Sequence, residues 1–175
     1  FNTYKNKSQA LKNCKKIIKE TKCDGIKLEG GSKIKDIIKH LVNNKIPVMG
    51  HIGITPQSQR GKFRYKGKNE KEKKNLLNDS KILEEAGVFA IVLECIEKKL
   101  SKKITETIEI PTIGIGSSKF CDGQILVLDD LLGLTNSKIK FVKKYANFKS
   151  NIRNAVKKFG SDVKRGSYPS LKHSY

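Results

Sequence analysis

Five short strand-like runs, separated by helix-like or polar segments, constrain the fold of this chain more than any other feature. In chain order they read DGIKLEGG, IPVMGHIG, VFAIVLECI, IPTIGIGS and GQILVLDDLLGL. The runs are largely apolar throughout rather than at every second residue, which is typical of parallel strands covered by helices on both faces. Glu29 and His51, at two run ends, stand 22 residues apart, and so do Glu94 and Gly116. Repeats of this length predict βα units.

The segments between the runs repeat apolar residues at helical spacing. We expect helices over residues 10–18, residues 34–42, Leu76–Ala86 and Glu97–Ile108, then two C-terminal helices, one around Phe141–Tyr145 and one over Ile152–Val163. Residues 117–123 are too few for an ordinary crossover helix. A short helical turn therefore connects the last two strands, or the final strand pairs differently.

About five strands leave two α/β architectures open. A closed (β/α)8 TIM barrel needs eight strands and typically about 250 residues, whereas this chain has 175. We therefore expect either an open doubly wound sheet or the later part of a TIM barrel whose first strands lie upstream of Phe1. The length suits a single domain, residues 1–175.

The formal charge of +20 raises the alternative of a basic nucleic-acid-binding module. The excess is nearly all lysine, because the arginines are Arg60, Arg64, Arg153 and Arg165 alone. The lysines are spread over most segments and accompany no RNA-binding or zinc-finger signature. We expect most of this charge to be solvated surface and the partners to be small molecules rather than nucleic acid.

The cysteines and the hydropathy indicate the compartment. The four cysteines stand singly, without the CxxC pairs of a zinc site or the density of a disulfide scaffold. No run approaches the roughly 18 apolar residues of a membrane span, and no secretory signal pattern is present. We expect a soluble cytoplasmic protein with reduced thiols and no membrane partner.

Polar residues stand at the carboxyl ends of the expected strands, where active sites of α/β folds lie. Lys27 and Glu29 point to the same side of their strand. Glu94 is an acid after an apolar run, and a poorly solvated carboxylate is suited to proton transfer, while Cys95 faces the opposite, helix-covered side. The alternatives are an ion pair that merely closes a strand for Lys27 and Glu29, and a structural role for His51.

Several motifs, in this order and at these spacings, resemble the ketopantoate hydroxymethyltransferase family. They are IKLEGG, PVMGHIGITPQS, VLECI, IPTIGIGS with CDGQILVLDDLLGL, KFVKKYA and YPSLKHSY. The resemblance implies the last five strands and C-terminal helices of a TIM barrel, about the C-terminal two-thirds of such an enzyme. It also implies a homo-oligomer that binds Mg²⁺ and transfers a hydroxymethyl group from 5,10-methylenetetrahydrofolate to 3-methyl-2-oxobutanoate. The product, 2-dehydropantoate, leads to pantothenate and coenzyme A.

The resemblance also implies a role for each candidate residue. Glu29 is a metal-shell carboxylate, Lys27 holds the oxo acid, and Glu94 is the general base. His51 lines the site and hydrogen-bonds substrate or product. The basic loop GKFRYKGK would attract the anionic substrates, with solvated loop charge as the alternative. Another Mg²⁺-dependent oxo-acid enolate enzyme, a carbon-carbon lyase, is the nearest alternative function.

The chain also departs from the family pattern. Two aspartates that complete the family's metal and substrate site are expected on strands upstream of Phe1. If the polypeptide begins at Phe1, we expect no useful turnover, because one carboxylate alone binds Mg²⁺ weakly. If further residues precede Phe1, the full enzyme is expected to be normal. Glu97 stands where proline is usual. Ser117 and Ser118 stand where an Ala-Gly pair is common.

Overall fold

A computed structural model describes residues 2–58 and 64–175. The chain divides into two compact units, Phe1–Ile125 and Leu126–Tyr175. The first contains the sheet and the candidate site residues, and the second is mainly helical. The expectation that residues 1–175 form a single domain stays a prediction.

The first unit is built on a five-stranded parallel sheet with the strands in chain order. The strands are β1 (Ile26–Glu29), β2 (Val48–Gly53), β3 (Ala90–Glu94), β4 (Thr112–Ile115) and β5 (Gly123–Gln124). Each strand pairs in parallel with the next. The expected α/β fold with five parallel strands is confirmed, and sequential parallel order is consistent with part of a TIM barrel.

Four helices of the first unit lie where the apolar spacing predicts them. They are α1 (Lys7–Thr21), α2 (Lys35–Asn43), α3 (Glu70–Glu85) and α4 (Lys98–Thr105). Three of them begin at a side-chain cap, because Asn6, Asn69 and Glu97 each accept a hydrogen bond from a backbone N–H of the first turn. A short 3-10 turn, Ser32–Ile34, precedes α2.

The two faces of the sheet carry different chemistry. The face toward the helices is apolar, and its side chains join one buried core with those of the helices; members include Leu28, Val48, Ile52, Ile91, Leu93, Leu41, Leu83 and Ile104. Burying each such side chain contributes about 1.5–3 kcal/mol. Because side chains alternate along a strand, Lys27, Glu29, His51 and Glu94 share the opposite face. The apolar core thus holds the strands in place, and the opposite face of the same strands carries the four polar side chains.

The connection from β4 to β5 contains no helix, and β5 is shorter than the apolar run GQILVLDDLLGL predicts. Asp122 accounts for the tight connection: its carboxylate Oδ2 accepts hydrogen bonds from the backbone N–H and the hydroxyl of Thr112, at 2.8 and 2.9 Å. These bonds hold the pKa of Asp122 below its usual range. The strand ends at Gln124, and Leu128 already begins a helix.

The second unit contains the short helix α5 (Leu128–Leu131) and the long helix α6 (Phe148–Lys164). The latter confirms the helix expected over Ile152–Val163. The helix expected around Phe141–Tyr145 is wrong, because this segment forms a turn followed by irregular backbone. There the N–H of Tyr145 donates to the carbonyl of Leu131 at 2.8 Å rather than to its own helical turn. Within the described ranges, no helix is long and apolar enough to cross a membrane.

Candidate active site

The strand register brings the four candidate residues to one end of the sheet. Glu29 is paired with His51 across β1 and β2, and Gly53 is paired with Glu94 across β2 and β3. Lys27 lies two residues before Glu29 on the same face. These side chains, up to 67 residues apart in sequence, therefore meet at the carboxyl ends of adjacent parallel strands, as expected for an α/β active site.

His51 is the buried centre of this cluster. Its imidazole Nδ1 lies 3.2 Å from Lys27 Nζ, and its side chain is 2% exposed. A lysine ammonium group has three N–H donors and no acceptor, so Nδ1 must be the acceptor in this hydrogen bond. The proton of the neutral ring consequently resides on Nε2.

The protonated ring nitrogen of His51 faces Glu94. Nε2 lies 3.1 Å from the carboxylate Oε2 of Glu94. The oxygen is close but off the line of the N–H bond, so this buried nitrogen has no aligned hydrogen-bond partner within the described residues. Glu94, 20% exposed at its side chain, is thus a carboxylate in contact with a buried donor and still open toward solvent.

Glu29 is a buried carboxylate whose two oxygens have different surroundings. Oε2 accepts the backbone N–H of Gln57 at 2.9 Å. Oε1 lies 3.8 Å from both Lys27 Nζ and His51 Nδ1. The hydroxyl of Tyr4 donates to the Glu29 backbone carbonyl at 3.3 Å, and burial raises the pKa of that phenol. Glu29 is therefore firmly held. Lys27, with 43% of its side chain exposed, approaches Glu29 from the solvent side and partly neutralises the charge of its carboxylate.

Cys95 follows Glu94 in a left-handed backbone conformation, with φ of +50°. Its expected place on the helix-covered side of the strand is wrong, because the strand ends at Glu94 and the chain turns at Cys95. Burial, and then the neighbouring charge of Glu94, raise the pKa of the Cys95 thiol to about 11. Since the thiolate is the nucleophile of cysteine chemistry, Cys95 is unsuited to that role.

Two contacts of the site were not anticipated from the sequence. The N–H of Gln57 reaches Glu29 from the loop after β2. The hydroxyl of Ser117 donates to the carbonyl of Leu93 at 2.6 Å and accepts the N–H of Ile96 at 3.1 Å. These two backbone groups lie before and after Glu94 in the chain. The one signal available was the departure of Ser117 from the family's Ala-Gly pair.

The basic loop is described in part, since Gly61–Phe63 of the GKFRYKGK segment and Arg60 lie outside the described residues. Arg64 forms an ion pair with Glu72, whose carboxylate also accepts the backbone N–H groups of Gly67 and Lys68. The Arg64 guanidinium, first, and these N–H groups lower the pKa of Glu72 to about 2. Arg64 thus has a structural partner, and attraction of anionic substrates by this loop stays a prediction.

A cleft of about 660 Å³ opens between the first turns of α3 and α4. Five lysines line it together with Leu77 and Leu100: Lys68, Lys73, Lys74, Lys99 and Lys103. None of the four candidate residues lines this cleft. We therefore assign the chemistry to the strand ends, where the titratable groups meet, rather than to this cleft.

Comparison with known proteins decides the family. The sequence profile of the ketopantoate hydroxymethyltransferase family matches residues 1–171. The chain belongs to the ketopantoate hydroxymethyltransferase family. The residues that the resemblance assigns to its site, Lys27, Glu29, His51 and Glu94, are the ones that the sheet brings together.

Relatives in the family are similar along the whole of this chain. It is 58% identical over 174 residues to a 3-methyl-2-oxobutanoate hydroxymethyltransferase of Pelagibacter ubique. The aligned region covers 99% of this chain and 67% of that protein. Relatives of the same name from Clostridium botulinum and Helicobacter pylori are 51% and 49% identical, over 95% and 100% of the chain. The chain spans 62–67% of the length of these three family members.

Proposed function

We propose that this chain carries the proton-transfer and substrate-binding residues of a hydroxymethyl transfer from 5,10-methylenetetrahydrofolate to 3-methyl-2-oxobutanoate, which yields 2-dehydropantoate. The observation that supports this function best is the contact series Lys27–His51–Glu94. It places a cation, a buried neutral imidazole and a partly exposed carboxylate at the carboxyl ends of adjacent strands. Family membership and the names of the relatives support the same reaction.

Glu94 acts in this proposal as the general base. Its carboxylate removes the proton from C3 of 3-methyl-2-oxobutanoate, and the electron pair moves to the ketone oxygen to give an enolate. His51 fits the task of holding this base, because its buried Nε2–H lies 3.1 Å from Glu94 Oε2. A small movement that brings the oxygen into line would form a full hydrogen bond and orient the carboxylate. His51 also lines the site, as the resemblance implies, within reach of substrate or product.

Lys27 binds the oxo-acid substrate in this proposal. Its Nζ lies 3.2 Å from His51 Nδ1 and 3.8 Å from Glu29 Oε1, and its side chain is 43% exposed. An ammonium group in that position has a donor free for an anionic ligand, since it carries three N–H groups. Binding of the substrate carboxylate here would place C3 near Glu94.

Glu29 fits one position of a magnesium shell, because a carboxylate oxygen is a ligand that Mg²⁺ prefers and Oε1 accepts no hydrogen bond from the described residues. Within residues 2–58 and 64–175, no group of three or more His, Cys, Asp or Glu side chains is arranged to hold a metal ion. Further ligands would be water, substrate and the two aspartates that the family resemblance implies. When bound, Mg²⁺ would polarise the ketone and stabilise the enolate.

The carbon transfer follows from the enolate. Its C3 forms a new carbon-carbon bond with the one-carbon unit of 5,10-methylenetetrahydrofolate, the bonds from that carbon to the folate nitrogens break, and water supplies the hydroxyl oxygen. Tetrahydrofolate and 2-dehydropantoate are the products. The chain's own contribution is the base, its orientation and the binding of the oxo acid.

The assembly is a homo-oligomer in this proposal, and the reaction takes place in the cytosol. Helix α6 supports the assembly, because Ile152, Val156, Phe159 and Val163 leave an apolar stripe 46–64% exposed along one helix. The four free cysteines, Cys14, Cys23, Cys95 and Cys121, are compatible with a reducing compartment.

The direct test is product formation by the protein expressed from its complete open reading frame with Mg²⁺. We expect 2-dehydropantoate to form from 3-methyl-2-oxobutanoate only when the methylene-folate is present. Glu94→Gln should lose at least about 100-fold in rate, in line with the loss of a general base. Glu106→Gln is a matched control at the exposed residue that follows α4, and it should retain the rate. Product formed at an unchanged rate by Glu94→Gln, or cleavage of an oxo acid without folate, would contradict the proposal.

A further inference from the structure

We propose that Ser117 is a positioning residue for Glu94, and that its hydroxyl holds the backbone turn that aims the Glu94 carboxylate. The proposal deepens the function given above and rests on it, because it requires Glu94 to be the base. It assigns a specific task to a residue that departs from the family's common Ala-Gly pair.

The Ser117 hydroxyl lies between two backbone groups that flank Glu94. It donates to the carbonyl of Leu93 at 2.6 Å and accepts the N–H of Ile96 at 3.1 Å. Leu93 and Ile96 are three residues apart, and a carbonyl and an N–H at that spacing ordinarily close a tight turn by bonding to each other. Here the serine oxygen is inserted between them and sets their separation.

The turn needs such support because its third residue is strained. Cys95 has φ of +50°, a left-handed conformation that is unfavourable for residues other than glycine. Three further hydrogen bonds fix the surroundings: Cys95 N–H to the Ile115 carbonyl, Lys66 N–H to the Cys95 carbonyl, and Ile54 N–H to the Glu94 carbonyl, at 2.8, 2.8 and 2.9 Å. Ser117 adds the bridge across the ends of the turn. The backbone of Glu94 is thereby held from β2, from β4 and from the loop before α3.

The direction of the Glu94 side chain follows from this backbone. Its carboxylate contacts His51 Nε2 at 3.1 Å but lies off the N–H line, so a small rotation at residue 94 or 95 changes both this contact and the aim at substrate. The rate of proton transfer is sensitive to small displacements of the catalytic group. A residue that fixes the turn therefore influences the rate without touching substrate.

Alanine at position 117 would leave the N–H of Ile96, a residue 2% exposed, without its partner. The carbonyl of Leu93 and this N–H would then bond directly or through a water molecule, which requires them to move relative to each other. The family's alanine is compatible with a stable turn of that kind. We therefore expect Ser117→Ala to preserve the fold and to displace the Glu94 carboxylate.

The test compares three variants of the protein expressed from its complete open reading frame. Ser117→Ala removes the bridge and Ser117→Thr retains a hydroxyl. Ser118→Ala is a matched control, because the Ser118 hydroxyl accepts the N–H of Phe120 and has no hydrogen bond, within the described residues, to the groups that flank Glu94. For exchange of the C3 proton of 3-methyl-2-oxobutanoate, we expect Ser117→Ala to lower kcat about 10-fold with KM unchanged. Ser117→Thr should recover most of this rate, and Ser118→Ala should resemble wild type.

A second readout does not depend on activity. Amide hydrogen exchange at Ile96 should be at least about 5-fold faster in Ser117→Ala than in wild type, with unchanged exchange in the core of β2. Wild-type kcat in Ser117→Ala would overturn the positioning role, even if Ile96 exchanges faster. Equal loss in Ser118→Ala, or no recovery in Ser117→Thr, would also overturn it. Absence of C3 exchange in wild type would instead refute the proposed function, and the positioning role with it.

Discussion

Lys27 Nζ lies 3.2 Å from His51 Nδ1, and this contact determines which ring nitrogen of the buried imidazole carries a proton. Because the ammonium group can only donate, Nδ1 accepts and Nε2 holds the hydrogen that faces Glu94. The partly exposed ammonium group of Lys27 thus determines which ring nitrogen of the buried His51 is a donor. The same lysine is the proposed ligand of the oxo acid, so substrate binding and orientation of the base share one side chain.

The tautomer of His51 is directly observable. We expect nitrogen NMR of ¹⁵N-histidine-labelled protein to show that the ring proton of His51 resides on Nε2. Lys27→Met removes the donor to Nδ1 while keeping a side chain of similar length, so it should shift the ring toward a mixture of tautomers. Lys33→Met, a lysine outside the site, is the control. A wild-type ring with its proton on Nδ1 would contradict the assignment of the ring proton to Nε2.

Glu97 caps α4 in place of the proline usual in the family, and this predicts a pH-dependent stability. Its carboxylate accepts the N–H groups of Lys99 and Leu100 at 3.0 and 2.9 Å, and these bonds, the Lys99 N–H first, hold its pKa below the ordinary value of 4.5. Because the folded pKa is the lower one, the charged cap stabilises the fold above pH 4.5 and loses this effect as the pH falls through the folded pKa.

Substitution of Glu97 measures that contribution. Glu97→Ala should lower the free energy of unfolding by about 1 kcal/mol at pH 7, as measured by urea denaturation. Glu97→Gln, which keeps an acceptor oxygen without the charge, should lose less. The difference between wild type and Glu97→Gln should shrink between pH 4.5 and pH 3, and a difference that instead grows on acidification would show that the charged cap does not stabilise α4.

The Cys95 thiol reports on the charge of its neighbour. Burial is the larger cause of its pKa of about 11 and the charge of Glu94 is the smaller one. We expect Glu94→Gln to lower this pKa in part, so that alkylation by iodoacetamide, followed by mass spectrometry from pH 8 to 10.5, becomes faster at Cys95. Glu106→Gln should leave the rate unchanged. An unaltered Cys95 rate in Glu94→Gln would show that the carboxylate does not act on the thiol.

The sequence predicts the sheet and the four site residues because both depend on local pattern. Apolar runs mark the strands. Polar residues at the run ends, such as Glu29 and Glu94, lie at the carboxyl ends of the strands, and this placement does not depend on the paths of the loops. The contacts of Gln57 and Ser117 depend on the paths of loops and on the left-handed turn at Cys95, which no periodicity encodes. Their roles therefore emerge only from the structure.

The one helix that the pattern predicts wrongly illustrates the same limit. Residues around Phe141–Tyr145 have apolar side chains at helical spacing, yet the N–H of Tyr145 bonds to Leu131. A tertiary hydrogen bond replaces the helical one, since local propensity is a weak preference. The run GQILVLDDLLGL likewise yields a two-residue strand, because the chain enters α5 at Leu128.

Exchange of the C3 proton of 3-methyl-2-oxobutanoate with deuterium oxide tests the central claim most directly, since it isolates the step assigned to Glu94 from the folate chemistry. With Mg²⁺ and without folate, the wild-type protein from its complete open reading frame should exchange this proton, as followed by proton NMR. Glu94→Gln should exchange at least about 100-fold more slowly, and Glu106→Gln at the wild-type rate. Exchange by Glu94→Gln at the wild-type rate would contradict the account.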